Sequence, residues 1–211
     1  MLTLSDIRSR VRTRFEASST TRWSNADVDA AINAGIAELS EVTRYYERWA
    51  SVPLKGGRTY YDLRGLTPET VLSVTSVWHE SGNRWLTPSN WRDLTYEEWE
   101  ETAGEPIAWF VRGLYWLALW PHPSTDVDQW VRVYYTAVAP ELEDDGEEPA
   151  QLPDEFVPAV EEYALYELQA REGETDKALY WWQQYKAREK SLEQHMAHRV
   201  TTARTGTLGR A

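Results

Sequence analysis

The feature that most constrains this chain is a change of hydrophobic period that happens twice. Apolar residues recur at helical spacing from residue 4 to about 49, alternate or run on from 52 to 139, and return to helical spacing from about 154. A segment patterned for one period cannot present a single apolar face in the other conformation. The middle of the chain must form sheet, set between helical parts from the two ends of the sequence. The expectation is an α+β protein. Residues 1–50 and 153–195 make a helical bundle, 51–140 an inserted small antiparallel β domain, 141–152 an acidic loop, and 196–211 an extended C-terminal tail.

The helix boundaries are read from caps. Thr3 with Asp6 three residues on is a capping-box pattern, and Leu4, Ile7, Val11 and Phe15 share the face that follows. Ser24 and Asp27 repeat the signal ahead of Val28, Ile32, Ile36, Leu39, Val42, Tyr46 and Trp49, which predicts a helix ending near Trp49, before Pro53. Ala30, Ala31, Ala34, Gly35 and Ala37 are mixed into that stripe, and such small residues let a neighbouring helix approach closely. Asp154 is read as the start of a third helix with Phe156, Val160, Ala164, Leu165 and Leu168 apolar. Thr175 or Asp176 opens a fourth, with Leu179, Trp182, Tyr185 and Leu192 inward. Between them "VLSVTSVWHE" alternates, "ESGNR" and "RGLY" read as hairpin turns, and 95–102 as a short helix in a connecting excursion.

Composition narrows the function classes. There are no cysteines, which excludes a disulfide framework and thiolate metal sites. No run approaches the ~20 apolar residues that span a bilayer, and "MLTLSDIRSR" lacks the apolar run of a signal peptide, so a soluble protein acting in a cytoplasm, without a membrane partner, is expected. A net charge of −12 argues against nonspecific nucleic-acid binding, which needs phosphate neutralisation. The charge is uneven. Arg8, Arg10, Arg12, Arg14 and Arg22 face only Asp6 and Glu16 in the first 22 residues, whereas "ELEDDGEEPAQLPDE" holds eight acids and no base and reads as a solvated loop. Twelve tryptophans and twelve tyrosines accompany three phenylalanines. Both join apolar area to a polar handle and are enriched at interfaces, though they also line cores and sugar sites.

Candidate chemistry is thin. Glu97/Glu98, Glu100/Glu101, Asp144/Asp145 and Glu161/Glu162 supply neighbouring carboxylates of the type glycosidases use, but adjacent residues on a helix do not face each other. His195 and His198 stand three apart with no third metal ligand nearby, and a cation near a helix C-terminus is the simpler account. "KGGR" and "TGTLGR" lack the spacing of a phosphate-cradling loop. The expectation is no catalytic residues, no metal and no cofactor.

The ordered parts resemble the bacteriophage head-to-tail adaptor (connector) family. "RWSNADVDAAINAGIAELSEV" is similar to the family's capped second helix at Trp23, Ser24, Asp27, Ile32, Asn33, Gly35, Glu38 and Leu39. "VPLKGGRTYYDL" resembles its following strand pair, "GEPIAWFVRGLYWLALWPHPS" its central block at Gly104, Pro106, Gly113, Leu119, Pro121 and Pro123, and "LPDEFVPAVEEYALYELQAREGETDKALYWWQQYKARE" its closing helix pair. The likeness covers about residues 2–192. It implies a non-enzymatic virion protein of the neck, assembled in the host cytoplasm. Such a protein is a subunit of a dodecameric ring that binds the portal, extends the channel for double-stranded DNA and carries a tail or nozzle protein. The rivals are a carbohydrate-binding or glycosidase-like accessory protein, suggested by the tryptophans and acids, and another head-completion or tail-terminator protein.

Site expectations follow. Arg199, Arg204, Leu208 and Arg210 of the tail are expected to bind the portal, because an unfoldable basic end without local acids needs another chain to order it. Ala34, Gly35, Tyr180 and Trp181 are expected at the subunit interface, and Trp85, Trp91 and Trp99 at the tail-side interface, since turns and connectors are poor places for core. The acidic surplus is expected to give a channel wall that does not hold DNA.

Overall fold

A computed structural model of the chain describes residues 2–15, 23–65, 67–90, 92, 99–124 and 129–206, with 198–206 described by backbone alone. The chain divides into two compact units, Met1–Tyr46 with Ala139–Ala211, and Glu47–Val138.

The first unit holds helices α1 (Leu4–Arg14), α2 (Asn25–Thr43), α3 (Val157–Glu172) and α4 (Thr175–Gly206). Both predicted capping boxes form, Thr3 with Asp6 and Ser24 with Asp27, so each helix start has two otherwise unpaired N–H groups satisfied locally. Leu4, Ile7 and Val11 of α1 and Val28, Ile32, Ile36 and Leu39 of α2 are buried, as the stripes predict. Helix α2 stops at Thr43 rather than near Trp49. Arg44 takes the left-handed conformation at φ 54°, and its N–H caps Ser40 O. Helix α3 begins at Val157, three residues after Asp154, with no side-chain cap and Pro158 in its first turn. Gly173 at φ 80° then turns the chain into α4. Tyr185 and Leu192 are buried on α4, but Leu179 is 53% exposed, and Ala178 occupies the inward position instead.

The second unit begins with β1 (Glu47–Pro53), β2 (Tyr60–Asp62), β3 (Val71–His79), β4 (Arg84–Trp85) and β5 (Thr87–Pro88). It continues with β6 (Ala103–Gly104), β7 (Ala108–Arg112), β8 (Trp116–Trp120), β9 (His122–Pro123) and β10 (Trp130–Ala137). One sheet has the order β1-β10-β3-β4, a second β2-β8-β7-β5, and β6 pairs with β9. The first two sheets share an apolar core, to which Val52, Val77, Val131 and Val133 come from one and Tyr61, Trp109, Leu117 and Leu119 from the other. Both predicted turns form. Asn83 at φ 48° lies between β3 and β4, and Gly113 at φ 64° between β7 and β8.

The fold class therefore needs correction. Among the described residues there are four helices and ten strands in three sheets, so by elements the protein is β-rich, and the sheet region is no small insert on a helical bundle. The β1-β10-β3-β4 sheet is antiparallel as expected, but the β5–β7 pairing makes the second sheet mixed, and the β6–β9 pair is parallel. Four strands are only two residues long. A two-residue strand has no period to read, and its pairing is decided by what lies beside it in space. Residues 47–50 join β1 because β10 supplies their partners, from Glu47 opposite Thr136 onward. Nor are residues 196–206 of the expected tail extended, since α4 runs through Gly206, and 207–211 lie outside the described residues. A helix already nucleated gains one hydrogen bond for each residue added, so weak helix formers continue it.

Candidate interaction surfaces

The helical unit is tied by charge. Arg8 of α1 donates to Asp29 of α2 through Nε at 2.6 Å and Nη2 at 2.8 Å, and to Asp145 of the acidic loop at 2.8 Å. Arg12 donates to the Trp23 carbonyl and to Asn25. Arg10 and Arg14 both reach Glu161 of α3, whose side chain is 0% exposed, at 3.4 and 3.0 Å. On α4 the Arg188 Nε donates to both oxygens of the buried Glu162, at 2.7 and 2.9 Å. Burial pushes the Glu162 carboxyl above its ordinary range, and Arg188 opposes the shift. The arginines of α1 thus serve their own chain. Glu161 and Glu162 each answer to different guanidinium groups, an arrangement of paired buried ions rather than of two carboxylates flanking a bond.

The acidic loop is docked, not merely solvated. Leu142 is buried, and its N–H and C=O bond the side chain of Asn33 at 2.9 and 3.0 Å. The N–H groups of Leu4 and Ser5, at the start of α1, donate to the carbonyls of Glu147 and Asp145. The loop's carbonyls thereby satisfy helix-start donors that would otherwise need water.

The expected subunit-contact residues separate. Gly35 is buried where α2 meets α3, and a Cβ there would lie 3.2 Å from Tyr163 Cβ and the Val160 carbonyl. The small-residue stripe is thus used inside the chain, with Ala34 half-buried beside it. Tyr180 is 54% exposed and packs edge-on against half-buried Trp181, ring centroids 5.0 Å apart. Both line a cleft of about 380 Å³ with Arg14, Phe15, Gln169 and Lys177.

The tryptophans of the β unit part in the same way. Trp99 belongs to the outer side of the β2-β8-β7-β5 sheet, 5.4 Å from Phe110 and 6.5 Å from Tyr60. There it covers Phe110 and Ala118, which are buried. The expected short helix at 95–102 is a 3-10 turn over Trp99–Glu101, and 93–98 lie outside the described residues, as does Trp91. Trp85 is on the other sheet, 5.0 Å from Trp78 and 5.4 Å from Tyr134. The sequence reading missed Trp49 and Trp130 as members of this second group, 55% and 40% exposed. Trp49 fits a helical stripe as well as a strand, and only its place opposite Tyr134 separates the two.

Of the expected portal-binding residues, Arg199 and Arg204 fall within α4, while Leu208 and Arg210 lie outside the described residues. His195 packs on Phe156 at 5.6 Å. Among the described residues no cluster of three or more histidine, aspartate or glutamate side chains could hold a metal, and no helix is long and apolar enough to cross a membrane.

Comparison with known proteins adds one finding. The family model described as SU10 adaptor protein matches residues 2–208. No curated protein matches the chain. The match spans every described helix and strand, from α1 to the end of α4. The chain accordingly belongs to the SU10 adaptor protein family and is a phage structural adaptor.

Proposed function

We propose that this adaptor is the subunit of a dodecameric ring seated beneath the portal, where it extends the DNA channel and offers a platform to the tail. Family membership implies a structural rather than enzymatic role, a place in the virion neck, and interaction with portal and tail proteins. The observation that carries the finer reading is the overhang of α4. Phe156, just before α3, meets His195. Tyr166 likewise meets Trp182, and Glu162 meets Arg188, so the two helices run antiparallel. Helix α4 has 32 residues against 16 in α3, and residues 196–206 therefore extend beyond the start of its partner. That stretch spans about 16 Å at the rise of an α-helix. It carries Arg199 and Arg204. A ring would bring many such arms to one portal, and each further arm binds at high effective concentration.

Tail-side contacts fall to the β unit around Trp85, Trp91 and Trp99, and exposed Tyr180 with half-buried Trp181 to subunit contact. The acidic surplus suits a channel wall along which DNA slides. Truncation after Gln194 tests the arm. Portal rings mixed with the full chain should bind a ring of it by negative-stain imaging, and the truncated chain should fail to bind. Undiminished binding of the truncated chain, with unchanged salt sensitivity, would refute portal docking by the arm.

A further inference from the structure

We infer that the turn between β3 and β4 is a proton-operated clasp. It fastens the edge of the first sheet to the segment leading into β7 while His79 is neutral, and it lets β4 come away when His79 takes up a proton. The device needs neither a ring nor a partner.

His79 ends β3 and is 0% exposed. Three pieces of chain close around its ring. Strand β4 lies alongside, with Arg84 opposite His79 in the register. In the turn, a Cβ on Gly82 would stand 2.6 Å from both His79 Nδ1 and Glu105 Oε1, so the turn closes over the ring only with glycine there. Glu105, between β6 and β7, brings Oε1 to 3.4 Å from His79 Nδ1. Arg84 makes the fastening. Its Nη2 lies 3.2 Å from Glu105 Oε1 and donates to the Pro106 carbonyl at 2.9 Å.

The charged groups that face the imidazole are Glu105 and Arg84. Glu80, the next residue along the chain, is turned to Arg132 at 3.0 Å. While His79 is neutral, one carboxylate serves one guanidinium. A protonated His79 sets a second cation against the same carboxylate, in a place closed to solvent. An ion taken out of water is stable only when it is well paired, so the charge favours a form in which water reaches the ring. Burial already holds the His79 pKa below its ordinary 6.5, with Glu105 opposing and Arg84 reinforcing the shift.

What gives way is the weakest cover. Strand β4 has two residues, stands at the edge of its sheet, and pairs with β3 at Trp78 and at His79 itself. Strand β3 is held along its other side by β10, from Val71 to His79. Short segments with few pairings open locally at much less cost than the whole fold. The opening carries Trp85 away from Trp78 and Tyr134, whose rings it meets at 5.0 and 5.4 Å, so one proton rearranges the exposed aromatic group of this sheet.

The chain has no cysteine, so an introduced one is its only thiol. Leu86→Cys reports the opening, because Leu86 is 3% exposed and its N–H bonds the Val77 carbonyl just past β4. Val133→Cys, at a buried position of β10, reports global unfolding, and the exposed Ser51→Cys gives the reactivity of a free thiol at each pH. Labelling of the full chain by a methanethiosulfonate is measured at about pH 7.5 and about pH 5.5, each rate divided by that of Ser51→Cys. An opened His79 titrates near its ordinary 6.5, so the Leu86→Cys ratio should rise on acidification by up to about tenfold. It should exceed the Val133→Cys ratio at least about tenfold at both pH values, as local opening requires. The acid gain should vanish when His79→Gln is added. Should that variant fail to fold, Glu105→Gln decides. It removes the charge that favours the imidazolium in the closed form, so the acid gain should be no smaller than in the parent, and a smaller gain overturns the inference. An unchanged Leu86→Cys ratio on acidification, a gain that survives His79→Gln, or equal ratios at Leu86→Cys and Val133→Cys also overturn it.

Discussion

The two units solve the same packing problem with different materials. In the helical unit the buried carboxylates of Glu161 and Glu162 meet arginines from other helices, Arg10 and Arg14 for the first and Arg188 for the second, and half-buried Asp29 meets Arg8. In the β unit the partners are rings, and its ionisable core group is His79, 0% exposed. A buried charge tolerates few arrangements, because leaving it unpaired costs several kcal/mol, whereas aromatic area adapts and can be left over. The helical unit therefore uses its unusual residues inward. The β unit has a surplus, and the surplus is at its surface.

The largest expected effect breaks this contrast on the charged side. Replacing Arg10 and Arg14 together by Ala strands the Glu161 carboxylate without a counter-charge and should cost about 3 kcal/mol of stability in denaturant unfolding. Glu161→Leu, which removes the charge itself, should cost far less. Equal losses in the two variants would show that the arginines act through packing of their stems and not through charge.

A smaller effect separates the two outer sheet faces. Trp99→Ala uncovers Phe110 and Ala118 and should cost about 2 kcal/mol, below the roughly 3–5 kcal/mol of a large aromatic removed from a full core, because Trp99 is only partly buried. Trp85→Ala loses chiefly its ring contacts with Trp78 and Tyr134 and should cost no more than about 1 kcal/mol. The reverse order, read from thermal melts, would mean that the face containing Trp85 is core after all.

The smallest effect is on pH, and it has opposite signs in the two units. Burial lowers the His79 pKa below its ordinary 6.5, with Glu105 at 3.4 Å opposing and Arg84 reinforcing the shift. The unfolded chain then takes up a proton before the folded one, so acidification below about pH 6.5 removes stability until the folded pKa is reached. Glu162 is raised above its ordinary 4.5, so its penalty is fully present at neutral pH and is relieved as pH falls through the folded value. Melts from pH 7 to 5 should show the β unit weakening relative to the helical unit, and His79→Gln should abolish that drift. A drift unchanged in the variant would assign it to other groups.

Much of the helical unit was readable because its signals are local. A capping box lies within four residues, and a helical stripe reports its own inward face, so α1, the start of α2 and the inward Tyr185 and Leu192 follow from the residues alone. Leu179 escaped because one position along a helix rotates a side chain by about 100°, and only the packed neighbour says which of two adjacent apolar residues turns inward. The candidate surfaces were legible as residue types, tryptophans in surplus, but not as groups. Trp85 and Trp99 look alike in sequence and lie on different sheets.

The residues by themselves determined that helices would flank a sheet region, where the two capping boxes and two turns fall, and that the chain carries more tryptophan and tyrosine than ordinary helical stripes require. Tertiary structure alone decided that residues 47–50 leave the helix for β1, that two-residue segments count as strands, and that the arginines of α1 find buried acids on α3. It also decided that one aromatic face is covered and the other is not. Each of these depends on a partner in another element, for residues 47–50 and the α1 arginines more than eighty residues away, and neither a cap nor a period names that partner.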